Sequence, residues 1–125
     1  MPVTVERHDH PAHVRFILSG LVSAAEVNAA AAELLALVAA SGVSRVLADA
    51  RELEGGHGTF ELYEMAERFA TDATARSVRE AVLLPQSAAM SSELRFWETA
   101  CVNRGLHVRV FDDEAAALAW LIVTS

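Results

Sequence analysis

The sequence contains no lysine, so all ten of its basic side chains are arginines. Seventeen acidic side chains outnumber them and give a formal net charge of -7. A phosphate backbone or an anionic membrane surface repels a chain with this balance. We therefore expect no nucleic-acid partner and no binding to anionic lipid surfaces.

Cysteine is almost absent as well: Cys101 stands alone and cannot form an internal disulfide, which fits a reducing compartment. No basic segment followed by an apolar run opens the chain, as a secretory signal requires. The longest apolar run, 29–40, is interrupted by Glu33 and is shorter than the roughly 18 residues of a membrane span. We expect a cytoplasmic protein without an integral membrane segment. Its arginine and alanine bias is typical of a GC-rich bacterial genome.

Apolar residues are plentiful, at 53% of the 125 residues, and charged residues make up 22%. This composition excludes a disordered tail and provides enough apolar surface for a core without metals or disulfides. The length fits one domain, which we place at 1–125.

Apolar periodicity predicts an alternation of strands and helices. The first helix is the clearest, because Ser23 and Glu26 form a capping box and Gly42 follows its apolar stripe. The predicted strands are 3–7, 13–19, 43–50, 81–84 and 107–111. The predicted helices are 23–42, 59–70, 91–104 and a last one capped by Asp112 or Asp113. The resulting order is ββαβαβαβα.

This order predicts an α/β fold with a five-stranded, mostly parallel sheet. The short turn between the first two strands makes strand 1 antiparallel. The middle strands are apolar throughout and the outer ones alternate, which favours the order 1-2-3-4-5. Right-handed crossovers that step in one direction place the helices mainly on one face.

Such layering leaves apolar side chains on the other face, among them Ile17 and Leu47. Soluble monomers rarely expose a patch of this kind. We therefore expect a partner subunit, a ligand or a covering segment against this open sheet face. The alternative is that strand order reverses and a helix covers it.

Two segments carry a resemblance to a known family. The strand ending Val46-Leu47-Ala48-Asp49-Ala50-Arg51 and the terminal run from Val110 to Leu121, with its Phe-Asp-Asp turn and Ala-Trp-Leu helix, resemble the SpoIIAA-like group of the STAS superfamily. The resemblance covers nearly the whole chain. It implies a βα superhelix, shared with CRAL-TRIO lipid-binding domains, and a role in protein interaction or ligand sensing.

In the anti-sigma antagonists of this superfamily, an Asp-Ser pair before the second helix accepts a phosphate that switches partner binding. The matching stretch here is Gly56-His57-Gly58-Thr59. Thr59 is its only hydroxyl, and therefore the one possible phosphoacceptor that the resemblance leaves. The alternative is that Thr59 is an ordinary helix N-cap.

The segment 49–59 leaves the carboxyl end of a predicted parallel strand, where ligands gather in open sheets. From it we select Asp49, Arg51, His57 and Thr59 as candidate contacts for a partner or ligand. Ser87 and Ser91 follow the next strand and are predicted to join the same rim. For both serines the alternative is helix capping.

No residue is predicted to be catalytic. No Gly-x-Ser-x-Gly elbow surrounds a serine, and the carboxylates near Asp49 are not arranged as a desolvated pair. His8, His10 and His13 flank the first turn, where Asp9 is the one carboxylate placed to orient them and surface histidines are common, so we expect no metal there and no cofactor.

These observations favour a non-enzymatic bacterial regulatory module for protein interaction or ligand sensing. Uncapped edge strands and the open sheet face favour a homodimer. The alternative is a carrier that holds an apolar or lipid-like small molecule against the open sheet face. A regulatory protein or an apolar small molecule is therefore the expected partner.

Overall fold

A computed structural model describes residues 2–123, which form five strands and five helices. The strands are β1 (Val3–Asp9), β2 (Ala12–Leu21), β3 (Arg45–Gly55), β4 (Arg79–Leu83) and β5 (His107–Phe111). The helices are α1 (Ala24–Ser41), α2 (Thr59–Ala70), α3 (Ala73–Ser77), α4 (Ala88–Val102) and α5 (Glu114–Ile122).

The strands form one sheet in the order β1-β2-β3-β4-β5. β1 pairs with β2 antiparallel, and the remaining neighbours are parallel. A two-residue turn joins β1 to β2, whereas each parallel step crosses through helix. The predicted α/β class, strand order and strand directions are confirmed.

Helix α1 begins and ends where its caps predict. The Ser23 hydroxyl accepts the Glu26 N–H, the Glu26 carboxylate accepts the Ser23 N–H, and Gly42 adopts a left-handed conformation after the last turn. By length and composition alone α1 is apolar enough to cross a membrane, with a mean hydropathy of 1.4. Its stripe of Val27, Leu34 and Val38 is buried in the core.

The predicted order lacked α3, a single short helix between α2 and β4. Asp72 caps it by accepting the Ala75 N–H at 3.0 Å. Five residues are too few to show helical periodicity, so only the capping aspartate marks it in the sequence.

The predicted end of the third strand at residue 50 is wrong. β3 continues to Gly55 and stays paired with β2, whose Leu21 lies opposite Gly55. Leu53 is buried on this extension, while its charged neighbours face outward. Asp49 and Arg51 therefore lie within a strand and not in a loop. β4 also begins earlier than predicted, at Arg79, and α4 at Ala88.

Three helices, α1, α2 and α4, cover one face of the sheet and form the larger core with it. Helix α5 packs on the opposite face, against β3, β4 and β5. The prediction that helices lie mainly on one face is therefore confirmed, but the second face is not left open where α5 lies.

The prediction that Leu47 lies on an uncovered face is wrong. Its side chain is 0% exposed and packs with Ala81, Leu83, Ala117 and Leu121. No strand follows α5 within the described chain, so this helix is not a crossover and can fold back over the second face, where it buries apolar surface. Ile17, predicted for the same face, is half-buried and lies opposite Asp49 in the β2–β3 register.

Candidate functional site

An apolar cavity of ≈110 Å³ lies between the sheet and helices α1, α2 and α4. Its walls come from the sheet face opposite α5 and from the inward stripes of these helices. Aromatic and long aliphatic side chains line it, among them Phe16, Leu34, Met65, Phe69 and Trp97. Concave, mostly apolar spaces with few polar groups are typical small-molecule sites.

Glu80 is the acidic side chain in the wall of this cavity. It lies on β4 between Val46 of β3 and Val108 of β5, and strand alternation directs it to the helix-covered face, away from Ala81. Glu80 is half-buried. Burial raises the pKa of its carboxyl to about 7, and the hydrogen bond from Trp97 partly opposes the shift.

Trp97 brings helix α4 into contact with this carboxyl. Its Nε1 donates a hydrogen bond to Glu80 Oε2 at 3.1 Å, and its ring meets Phe69 of α2 edge-on at 6.0 Å. Cys101, one turn further along α4, is fully buried. Burial and the nearby Glu80 carboxylate raise the pKa of the Cys101 thiol. The thiol is therefore not a nucleophile at neutral pH.

His57, selected from the sequence, also lines the cavity. Its Nδ1 donates a hydrogen bond to the Val22 carbonyl at 2.8 Å. Gly56 makes this approach possible because its φ is 113° and a Cβ at this position would lie 2.4 Å from the Val22 oxygen. The glycine-rich segment thus fixes the position of His57 at the edge of the cavity.

Asp49 and Arg51 lie on the other face of the sheet, in a network of ion pairs. Arg51 donates to both Asp49 oxygens, at 3.0 and 2.8 Å, and to Glu114 of α5 at 3.1 Å. Arg15 of β2 donates to the other Glu114 oxygen at 3.0 Å. The Arg51 hydrogen bond lowers the pKa of Asp49, and the Arg15 hydrogen bond lowers that of Glu114. These four residues join the start of α5 to β2 and β3.

His13 adjoins this network from β2 and is 2% exposed. Its Nδ1 donates to the Pro11 carbonyl at 2.6 Å, and its Nε2 accepts from Arg15 Nε at 3.2 Å. Burial lowers its pKa, so the neutral ring is favoured. The His8 ring stacks on the His13 ring, with the two ring centroids 5.1 Å apart. Within residues 2–123, no group of three histidine, cysteine, aspartate or glutamate side chains is placed to hold a metal ion.

The three candidate hydroxyls occupy helix N-termini. Gly58 is the N-cap of α2, and Thr59 is its exposed first residue. Ser87 caps α4 by accepting the Met90 N–H at 3.3 Å, and Ser91 donates to the Pro85 carbonyl at 2.9 Å. Their predicted role as partner contacts, and that of Thr59 as phosphoacceptor, remain predictions.

Aromatic side chains lie on the outer surface of α2 and α4. Phe60 is 71% exposed. The buried stripe of α2 is Leu62, Met65 and Ala66, and Phe60 falls outside it. Tyr63 and Phe96 line a shallow groove between the two helices, where the Arg104 guanidinium lies 4.4 Å from the Tyr63 ring centroid.

Glu80 is the site residue that sequence reasoning missed. The predicted strand began at residue 81, so Glu80 was outside the pattern. The sequence feature that could have identified Glu80 is its position two residues before Val82, which is buried on the helix-covered face, because residues two apart in a strand lie on the same face. A charged residue at such a position marks a polar group inside an apolar layer.

Comparison with known proteins agrees with this architecture. A family model described as SpoIIAA-like matches residues 13–122. A solved structure of an uncharacterized protein of the DUF3478 family from Shewanella loihica PV-4, with a SpoIIAA-like fold, is 20% identical and superposes with a TM-score of 0.58. The match covers 95% of this chain and 91% of that one. No curated protein matches this chain.

Proposed function

This chain belongs to the SpoIIAA-like family, and from that premise we propose that it is a non-enzymatic regulatory module that senses a small, mostly apolar ligand. The family supports a binding or regulatory role in general. The observation that carries the finer proposal is the apolar cavity beneath α1, α2 and α4, with Glu80 in its wall.

The size of the cavity restricts the ligand. At ≈110 Å³ it is smaller than the roughly 300 Å³ at which drug-sized pockets begin. An engineered apolar cavity of about 150 Å³ binds benzene, so the ligand is a molecule of about that size. An acyl-chain lipid is too large. The alternative of a carrier on the open sheet face loses its support, because α5 covers Leu47.

The nucleophilic side chains on α4 and at its N-cap favour binding over catalysis. Cys101 is buried and its thiol pKa is raised. Ser87 and Ser91 form helix-terminal hydrogen bonds with Met90 and Pro85. Family members are in general not enzymes, which supports the same conclusion.

Partner binding belongs to the proposal too, and the outer surface of α2 and α4 is its best-supported location. Phe60, Tyr63 and Phe96 are exposed there, and aromatic residues are enriched in interfaces. A twofold interface buries the same surface on both copies, so we propose a homodimer through this surface in the bacterial cytoplasm.

Ligand binding is tested by thermal unfolding with benzene as the probe. At ten times its dissociation constant, benzene should stabilise the fold by about 1.4 kcal/mol, a rise in Tm of about 5 °C. Ala31→Leu fills the cavity from α1 and should abolish the rise. Ala32→Leu, on the exposed side of the same helix, is the matched control and should retain it. A rise that persists in Ala31→Leu, or none in the wild-type protein, contradicts the proposal.

The dimer is tested by light scattering after size-exclusion chromatography. Wild-type protein should have the mass of two chains, and Phe96→Ser should have the mass of one. Leu21→Ser replaces an apolar residue at the end of β2 that is more exposed than Phe96, 71% against 37%, and should remain dimeric. A wild-type monomer, or a dimer unaffected by Phe96→Ser, contradicts this surface.

A further inference from the structure

The wall of the cavity is apolar except near Glu80, His57 and His107. Glu80 and His57 are half-buried, and His107 is exposed. Glu80 lies on β4 between Val46 and Val108 of the neighbouring strands, and it is the acidic group of the three. A ligand inside the cavity therefore meets the Glu80 carboxyl as a polar contact in the sheet wall.

The hydrogen bonds of this carboxyl are incomplete. Trp97 Nε1 donates to Oε2, and residues 2–123 contain no other donor within hydrogen-bond distance of either oxygen. An ionised carboxylate accepts through about four lone-pair sites. Oε1 is therefore available to a group that the ligand brings.

We propose that the cavity selects a small aromatic molecule with one hydroxyl group, which hydrogen-bonds to the Glu80 carboxyl while its ring packs among Phe16, Phe69 and Trp97. This inference rests on the proposed function and specifies the ligand class of the same site. A benzene-sized ring matches the volume of ≈110 Å³, and the edge-on pair of Phe69 and Trp97 is an arrangement that a further aromatic ring can extend.

Other polar groups fit less well. A carboxylate on the ligand would be repelled by Glu80. An ammonium has three donors and meets one available carboxyl oxygen in an apolar wall, so its desolvation is poorly compensated. A hydroxyl both donates and accepts, and it pairs with the carboxyl whether Glu80 is ionised or protonated.

The test compares phenol with toluene, which matches its size and lacks the hydroxyl, by isothermal titration calorimetry. Hydrogen bonds to charged groups correspond to about a tenfold or greater gain in affinity, so phenol should bind at least about tenfold more tightly. Glu80→Met removes the carboxyl at similar volume and should reduce the phenol-to-toluene ratio to about one. Glu33→Met, an exposed position on α1, is the matched control and should leave the ratio unchanged.

A second readout locates the ligand. The chain has two tryptophans, so Trp120→Phe leaves Trp97 as the only indole, and phenol should change the fluorescence emission of Trp97.

Glu80→Gln replaces Glu80→Met in the calorimetric test if the methionine variant does not fold. The neutral amide accepts a weaker hydrogen bond, so the preference for phenol should fall, and an unchanged preference overturns the inference.

The outcomes separate this inference from the proposed function. Equal affinity for phenol and toluene, abolished for both by Ala31→Leu, overturns hydroxyl selection and leaves the cavity as a ligand site. Tighter binding of benzylamine, which carries an ammonium group, than of phenol also overturns the proposal that the ligand carries a hydroxyl group. If phenol, toluene and benzene all fail to bind, both this inference and the proposed function are overturned.

Discussion

The indole Nε1 of Trp97 donates a hydrogen bond of 3.1 Å to Oε2 of Glu80. This contact joins α4 to the middle of the sheet beside the cavity, where the surrounding side chains are apolar. It provides a donor for a carboxyl that would otherwise be costly to bury. The pair therefore combines a cost in stability with a polar group that can recognise a ligand.

Glu80 should make stability depend on pH. Its pKa in the folded state is about 7, above the ordinary value of 4.5, so the unfolded chain ionises first as pH rises. The folded protein should therefore lose stability between about pH 4.5 and pH 7, by about 3 kcal/mol. Urea unfolding across this range measures the loss.

Glu80→Gln keeps a hydrogen-bond acceptor for Trp97 and does not ionise. Its stability relative to wild type should rise through the same pH window and stay constant above it. Glu33→Gln, an exposed substitution on α1, should follow the wild-type curve. Parallel curves for wild type and Glu80→Gln would show that the Glu80 carboxyl titrates normally.

The C-terminal side of α5 provides a stability test of the second core. Leu121 is 0% exposed, whereas its neighbour Ile122 is 48% exposed. Leu121→Ala should lower the free energy of unfolding by about 2–5 kcal/mol, because it leaves a cavity above Leu47. Ile122→Ala should change it by less than about 1 kcal/mol. Chemical denaturation of both variants measures the difference, and equal losses would place α5 elsewhere.

Glu114 should stabilise the attachment of α5 to the sheet modestly. Its folded-state pKa lies below the ordinary value because Arg15 donates to it, so its contribution is present above the unfolded pKa and is lost as pH falls through the folded one. The side chain is 36% exposed, which limits the effect of Glu114→Gln at neutral pH to less than about 1 kcal/mol.

Two controls identify the effect of Glu114→Gln as electrostatic. The difference from wild type should disappear in acid, once the pH has fallen below the lowered pKa of Glu114, and it should shrink in about 1 M salt. Glu67→Gln, at an exposed position on α2, should not show this pattern. A difference that persists in acid would assign the effect to packing.

Gly56 and Gly58 form a matched pair for the segment that positions His57. Gly56 has φ 113°, and a Cβ there would lie 2.4 Å from the Val22 oxygen, whereas Gly58 has φ -107° and open space. Gly56→Ala should therefore destabilise the fold by about 2 kcal/mol or more, and Gly58→Ala by less than about 1 kcal/mol. Thermal unfolding measures both, and similar losses would contradict the close approach.

Local patterns were sufficient for much of this fold. Capping at Ser23 and Gly42 defined α1, and apolar strands separated by helices gave the strand order. The extension of β3 was harder to predict because Arg51, Glu52 and Glu54 interrupt its apolar run. Only Leu53 shows that one side of the extension is buried.

The face of α5 depends on long-range packing that periodicity does not encode. Its apolar residues predict a buried helix but not the side of the sheet, since no following strand in the described chain fixes its direction. The candidate site was predicted in part: His57 lines the cavity, whereas Asp49 and Arg51 join the ion pairs on the opposite face. Glu80 required knowledge of where β4 begins.

The placement of α5 has a consequence for biosynthesis. Leu47, Ala81 and Leu83 are translated well before the segment 114–122 that shelters them. During translation, the emerging sheet therefore exposes these apolar side chains until α5 has left the ribosomal exit tunnel. A nascent chain that stalls before α5 keeps this apolar surface exposed, and chaperones bind such surfaces.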